Sequence, residues 1–153
     1  MRRRPTRATV MTAAAAISVS VAACGPQPAS PGEGDARPST AFLARHRPMN
    51  GGPAAIVLGT LVERDRCLLL DVPGGAALAL WPPDASAWVI DGVTTIVDGQ
   101  GRPAVAVGGQ ASFGGGYDYP LDWAEQQAGP IPERCRTPTY LLVNDLKRIV
   151  LEE

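Results

Sequence analysis

Three hydropathy regimes follow one another along the chain. Ala8 to Ala23 carries no charge and is mostly Ala, Val, Ile and Met. Gly25 to Pro53 is rich in Pro and Gly and poor in large apolar side chains. Such a stretch has little to bury and cannot offset the entropy lost on folding, so it is expected to be a flexible tether. Within it, Ser39 to Arg47 has the make-up of a helical turn or two at most. From Ala54 onward, short apolar runs rich in β-branched residues alternate with turn residues, the pattern of strands rather than helices.

The strands are expected at Ala54–Glu63, Cys67–Asp71, Ala76–Trp81, Trp88–Ile90, Val93–Val97, Pro103–Val107, Gln110–Phe113 and Thr139–Val143. A last one at Lys147–Leu151 would close the sheet. Arg64-Asp65-Arg66, Pro73-Gly74-Gly75 and Asp91-Gly92 separate them as turns. Asp98-Gly99-Gln100-Gly101 is a hairpin signal, with Asp-Gly supplying the positive φ such turns need. Gly114-Gly115-Gly116 is expected to end a strand. Tyr117 to Arg136 is the longest excursion without strand pattern. It carries a short helix over Pro120–Ala128, with proline in the first turn and Gly129-Pro130 as the stop. Six to eight short strands without a sustained amphipathic helix predict an all-β domain. A small closed, OB-like barrel is favoured over a two-sheet β-sandwich.

The N-terminal regime changes the picture. Four arginines, Arg2, Arg3, Arg4 and Arg7, precede the apolar run, which is too short and too poor in Leu and Phe to span a bilayer comfortably. A basic start, a short apolar run and small residues at its end form the pattern of a secretory signal. Val21-Ala22-Ala23-Cys24 resembles the lipobox of bacterial lipoproteins. The resemblance implies cleavage before Cys24 and a diacylglycerol on its sulfur. The chain then divides into a signal peptide (1–23), a lipidated cysteine with its tether (24–53) and a β-domain (54–153). Arg2-Arg3-Arg4 also leaves room for twin-arginine export, although the residues after it fit that motif poorly. Gly25 is not the aspartate that resembles an inner-membrane retention signal. The expected location is the extracytoplasmic face of the cell membrane, or the outer membrane in a host that has one.

With four of the fourteen Lys and Arg lying before Cys24, ten remain against fifteen Asp and Glu, a net charge of −5 for the mature chain. That disfavours nucleic acid, whose phosphates call for a cationic surface, and disfavours electrostatic adhesion to anionic lipid. Cys67 and Cys135 are left once Cys24 is assigned. In an exported chain they are expected to form a disulfide, with two buried free thiols as the alternative. Gly59-Thr60-Leu61, Cys67-Leu68-Leu69-Leu70, Trp81-Pro82-Pro83, Gly114-Gly115-Gly116 and Cys135 occur in an order that resembles a functionally uncharacterised β-domain of exported bacterial proteins. That resemblance implies a β fold and a Cys67–Cys135 pair, and no catalytic residues.

Candidate chemistry is sparse. His46 is the single histidine, and its place in the expected tether takes a Ser-His-Asp triad and His-rich metal sites out of the domain. No nucleophile elbow or P-loop motif occurs. No cofactor or metal is expected. Asp118, Asp122 and Glu125 cluster beside Tyr117, Tyr119 and Trp123. The carboxylates would serve an envelope hydrolase if two faced each other across a cleft. The aromatics, on an irregular excursion, suit contact with an envelope protein or glycan, or else cap the barrel end. Trp81 and Trp88 are expected in the core or at the barrel rim. The reading favoured is a lipid-anchored, non-catalytic binding or structural module. The hydrolase is the alternative, and a spacer without ligand is a third.

Overall fold

The computed structural model of the chain describes residues 35–147. The signal peptide, Cys24 and the strand expected over 147–151 lie outside them, apart from Lys147, which is not in a strand. Nine strands, one α-helix and one 3₁₀ turn make up the described part.

Five strands close into a barrel in the order β2-β3-β4-β9-β8. They are β2 (Ala55–Arg64), β3 (Cys67–Val72), β4 (Gly75–Leu80), β8 (Gln110–Tyr119) and β9 (Tyr140–Val143). β4 and β9 run parallel, and every other neighbouring pair in the barrel is antiparallel. The closed barrel with one short helix and one disulfide is the architecture expected from the sequence; the two-sheet sandwich is not formed. The β2–β3 hairpin turns through Asp65 and Arg66, with φ of 50° and 61°. Two successive residues at positive φ match the right-handed twist of the strands.

The runs Cys67-Leu68-Leu69-Leu70, Ala76-Ala77-Leu78-Ala79-Leu80 and Tyr140-Leu141-Leu142-Val143 do not alternate with polar residues, because this wall is covered on both sides. Leu68, Leu70, Ala77, Ala79, Leu141 and Val143 fill the barrel with Val57, Leu61, Trp81 and Phe113. Cys67, Leu69, Leu78, Leu80, Tyr140 and Leu142 point outward, under α1 (Leu121–Ala128) and the 3₁₀ turn at Glu133–Cys135. The Cys67–Cys135 disulfide ties that cover to the first residue of β3.

A second sheet, in the order β1-β5-β6-β7, joins three strands inserted between β4 and β8 to one strand from before the barrel. It comprises β1 (Ala36–Pro38), β5 (Ser86–Ile90), β6 (Val93–Val97) and β7 (Pro103–Ala106). Ala87, Ile96 and Val105 on one of its faces join the barrel core beside Trp81 and Ala85, so this sheet plugs one end of the barrel. Trp81 is fully buried and meets Phe113 edge to face, with centroids 5.8 Å apart.

Four expectations are corrected. The tether over 24–53 is not flexible through its second half. β1 pairs with β5, Phe42 bridges Cys67, and Arg45 bridges Trp81. Ser39 to Arg47 is an extended strap rather than a helical turn. Its backbone supplies the bonds that its sparse side chains did not announce, among them Phe42 N to Arg66 O at 2.7 Å and Trp81 N to Ala44 O at 2.9 Å. The folded domain therefore includes Ala36 to Arg47 and does not start at Ala54. Gly114-Gly115-Gly116 does not end a strand either, since β8 continues to Tyr119. Gly115 faces into the barrel, where a Cβ would collide with the Leu142 carbonyl. The run serves close packing, not a turn. In the Asp98 hairpin the positive φ falls on Gly101 rather than Gly99.

Gly115→Ala is expected to destabilise the domain by at least about 2 kcal/mol, because the obstacle is backbone and has no rotamer to change. Gly114→Ala, with no atom near its Cβ position, should stay within about 0.5 kcal/mol of the parent. Urea titrations of the two variants check this; equal midpoints would contradict the close-packing account.

Candidate functional site

The excursion after β8 is divided by one backbone feature. Asp118 takes a left-handed conformation, φ 60°, where the β8–β9 register shifts between Gly116 and Tyr119. This bulge sends Tyr117 and Tyr119 to different surfaces.

Tyr117 turns to the open end of the barrel. Its hydroxyl donates to Ile56 O at 2.5 Å and accepts from Leu58 N at 2.9 Å. β3 pairs with β2 only from Thr60 onward, so Tyr117 satisfies an edge of β2 that β3 does not reach. Beside it opens a cavity of about 640 Å³, whose walls are Leu58, Val72, Pro73, Ala76, Pro138 and Leu141. Asp118 and Thr139 supply polar atoms at its rim, and Thr139 Oγ1 donates to Asp118 Oδ1 at 3.3 Å. Leu58 and Tyr117 are exposed, at 42% and 38%. The volume falls in the range of small-ligand clefts. The mouth is built from the start of β2, the β3–β4 hairpin, the end of β8 and the segment leading into β9. It is thus the end opposite the plugging sheet.

Tyr119 and Trp123 stack with centroids 3.9 Å apart and planes 17° from parallel. Both pack against the apolar cluster on the outer wall. They cover β3-β4-β9, and only Tyr117 of the three aromatics lines the mouth. The carboxylates are likewise separated in role. Glu125 Oε1 accepts from Arg136 Nη2 at 3.0 Å and from Ile131 N at 3.3 Å, which secures the chain after α1. Asp122 is exposed in the first turn of the helix, where it favours the positive end of the dipole. Asp118 alone borders the cavity.

His46 belongs to the folded domain rather than to a tether. It is 5% exposed, with Nδ1 2.7 Å from Arg47 O and Nε2 3.0 Å from Val143 O. Its ring nitrogens address backbone carbonyls, and it acts as a rivet between the strap and β9. Among the described residues, no three His, Cys, Asp or Glu side chains gather as a metal site would require.

Sequence reasoning missed Leu58, Pro73, Pro138 and Thr139 as mouth residues. Ile56-Val57-Leu58 is continuously apolar, so the run itself does not tell that Val57 is core while Leu58 is exposed. Proline and glycine at 73–75 read as a turn and carry no sign that the turn rims a cavity.

Among the described residues, Asp98 is the one carboxylate with a clear displacement. The Arg102 backbone N–H is the largest influence and holds its pKa below the ordinary 3.8; burial, the next largest, opposes it, and the Arg102 guanidinium and the Gln100 N–H add to the lowering. Arg102 Nε donates to Oδ2 at 2.7 Å, and both backbone groups donate to Oδ1 at 2.9 Å.

A comparison with family models, with curated proteins and with solved structures finds no match to the chain.

Because the folded-state pKa of Asp98 is depressed, its contribution is fully present above 3.8 and fades as pH falls through the folded value. Asp98→Asn should cost about 1 kcal/mol at neutral pH, the modest worth of a solvent-screened pair. The gap to the parent should shrink on acidification below the ordinary carboxylate range. Thermal melts across pH check it; a gap that widens in acid would contradict the assignment.

Proposed function

We propose that the chain is an exported, lipid-anchored lipoprotein whose barrel is a non-catalytic binding module of the cell envelope. The observation that carries this reading is the distribution of cysteines. Cys67 and Cys135 are joined to each other, a bond suited to an oxidising compartment. The remaining cysteine, Cys24, stands at the end of a signal-like apolar run, where a lipid-bearing residue belongs.

The finer reading of the barrel is OB-like. Five strands close it, and β4–β9 is its one parallel pair. Barrels of that kind hold oligonucleotides or oligosaccharides across the face of their second and third strands. In this chain the equivalent outward face of β3 and β4 lies under α1 and the disulfide, and the mature charge is −5. Nucleic acid is therefore a poor fit. The mouth, with Tyr117 and Asp118 at its edge, is the surface left for an envelope protein or glycan. Glu125 is engaged by Arg136, which counts against the carboxylate hydrolase.

Growth with radiolabelled palmitate tests the anchor. The full chain is expected to take up label and sediment with membranes, and Cys24→Ala to lose the label and appear in the soluble extracytoplasmic fraction. Label persisting on the variant would refute the assignment.

A further inference from the structure

We propose that the outward face of the second sheet rests on the lipid surface that anchors the chain, so that the barrel mouth faces away from the bilayer. This rests on the reading of Cys24 as the lipidated residue.

The register places Ala36, Ile90 and Val93 in one row across the sheet and Pro38, Trp88 and Thr95 in the next. The positions that alternate with them lie on the other face: Arg37, Val89 and Thr94 between the two rows, and Ala87 and Ile96 in the row beyond, where they join the barrel core. The two named rows therefore point outward, and none of their residues is charged. Val93 is 43% exposed. Trp88 Nε1 donates to Ser86 Oγ at 3.1 Å, which lays the indole along β5 with its donor already satisfied. Thr95, directly opposite Trp88, is only 6% exposed. Trp88 is itself half-buried, so part of the ring is left to the outside, the disposition that suits tryptophan to a membrane interface.

The length and entry point of the preceding chain name the occupant. β1 begins at Ala36, so eleven residues separate it from Cys24. Fully extended they reach about 40 Å, and as a flexible chain they average roughly 18 Å. That is far less stand-off than a tether reaching to Pro53 would allow. β1 is an edge strand of this sheet, so the tether delivers the sheet, not the mouth, to the bilayer. With a net charge of −5, the contact is apolar rather than an attraction to anionic headgroups.

The test uses the full lipidated chain reconstituted in phosphatidylcholine vesicles with brominated acyl chains, read by tryptophan emission. Wild type should be quenched relative to unbrominated vesicles, and Trp123→Phe equally so. Trp88→Phe should lose most of the quenching. Val93→Glu, at an exposed position, should lose it while its melting curve and its flotation with vesicles are unchanged. Wild type that floats without quenching would overturn the orientation, as would undiminished quenching in Trp88→Phe or Val93→Glu. If wild type fails to float, the anchor itself is refuted and the orientation with it.

Discussion

The two-sided burial of β3, β4 and β9 is the constraint on which the rest of the structure depends. A barrel wall normally keeps one face for solvent. Here the outward face is as apolar as the inward one, and it would be a large exposed patch if uncovered. The excursion between β8 and β9 exists to cover it. Ala124, Ile131 and Cys135 are the buried contacts of that cover, and the disulfide holds it against the start of β3. Closing a loop of this length removes roughly 4 kcal/mol of unfolded-state entropy in the chain-entropy model. Trp123 and Tyr119 complete the cover by stacking on each other.

From that arrangement follows the division of surfaces. With that wall covered, the plugging sheet lies at one end of the barrel and the mouth at the other, and the outward face of β2 and β8 is the part of the wall left open. The bulge at Asp118 sorts the excursion between them. It turns Tyr117 toward the mouth, while Tyr119 stays with the wall. The strap from Ala36 to Arg47 ties the plugging sheet to β3, β4 and the end of α1 through backbone bonds. His46 fastens its end to β9. The described fold thus reaches to within eleven residues of Cys24, the proposed point of anchoring.

Much of this was legible from residue pattern. β-branched runs and paired turn residues located the barrel strands and the three-stranded insertion, and Pro120 with Gly129-Pro130 bracketed the helix. The strap was not legible, because its pairing is carried by main-chain groups, and Pro and Gly around it masked the alternation of Phe42, Ala44 and His46. Gly114-Gly115-Gly116 looked like a turn because sequence alone does not distinguish a glycine needed for φ from one needed for space. At the site, the sequence sets the aromatics and carboxylates of the excursion close together along the chain, and the fold parts them. The bulge that parts them depends on a single residue's φ. The cavity wall comes from hairpins that are distant in sequence and brought together only by closure of the barrel.

Hydrogen exchange followed by mass spectrometry, before and after reduction of the disulfide, tests the central claim about the doubly covered wall most directly. In the oxidised protein the slowest amides should lie in β3, β4 and β9. On reduction, Leu121–Ala128 and the outward-packed wall should lose protection first, while β5 and β6 keep theirs. Slowest exchange in the plugging sheet, or an excursion whose protection is unaffected by reduction, would contradict it.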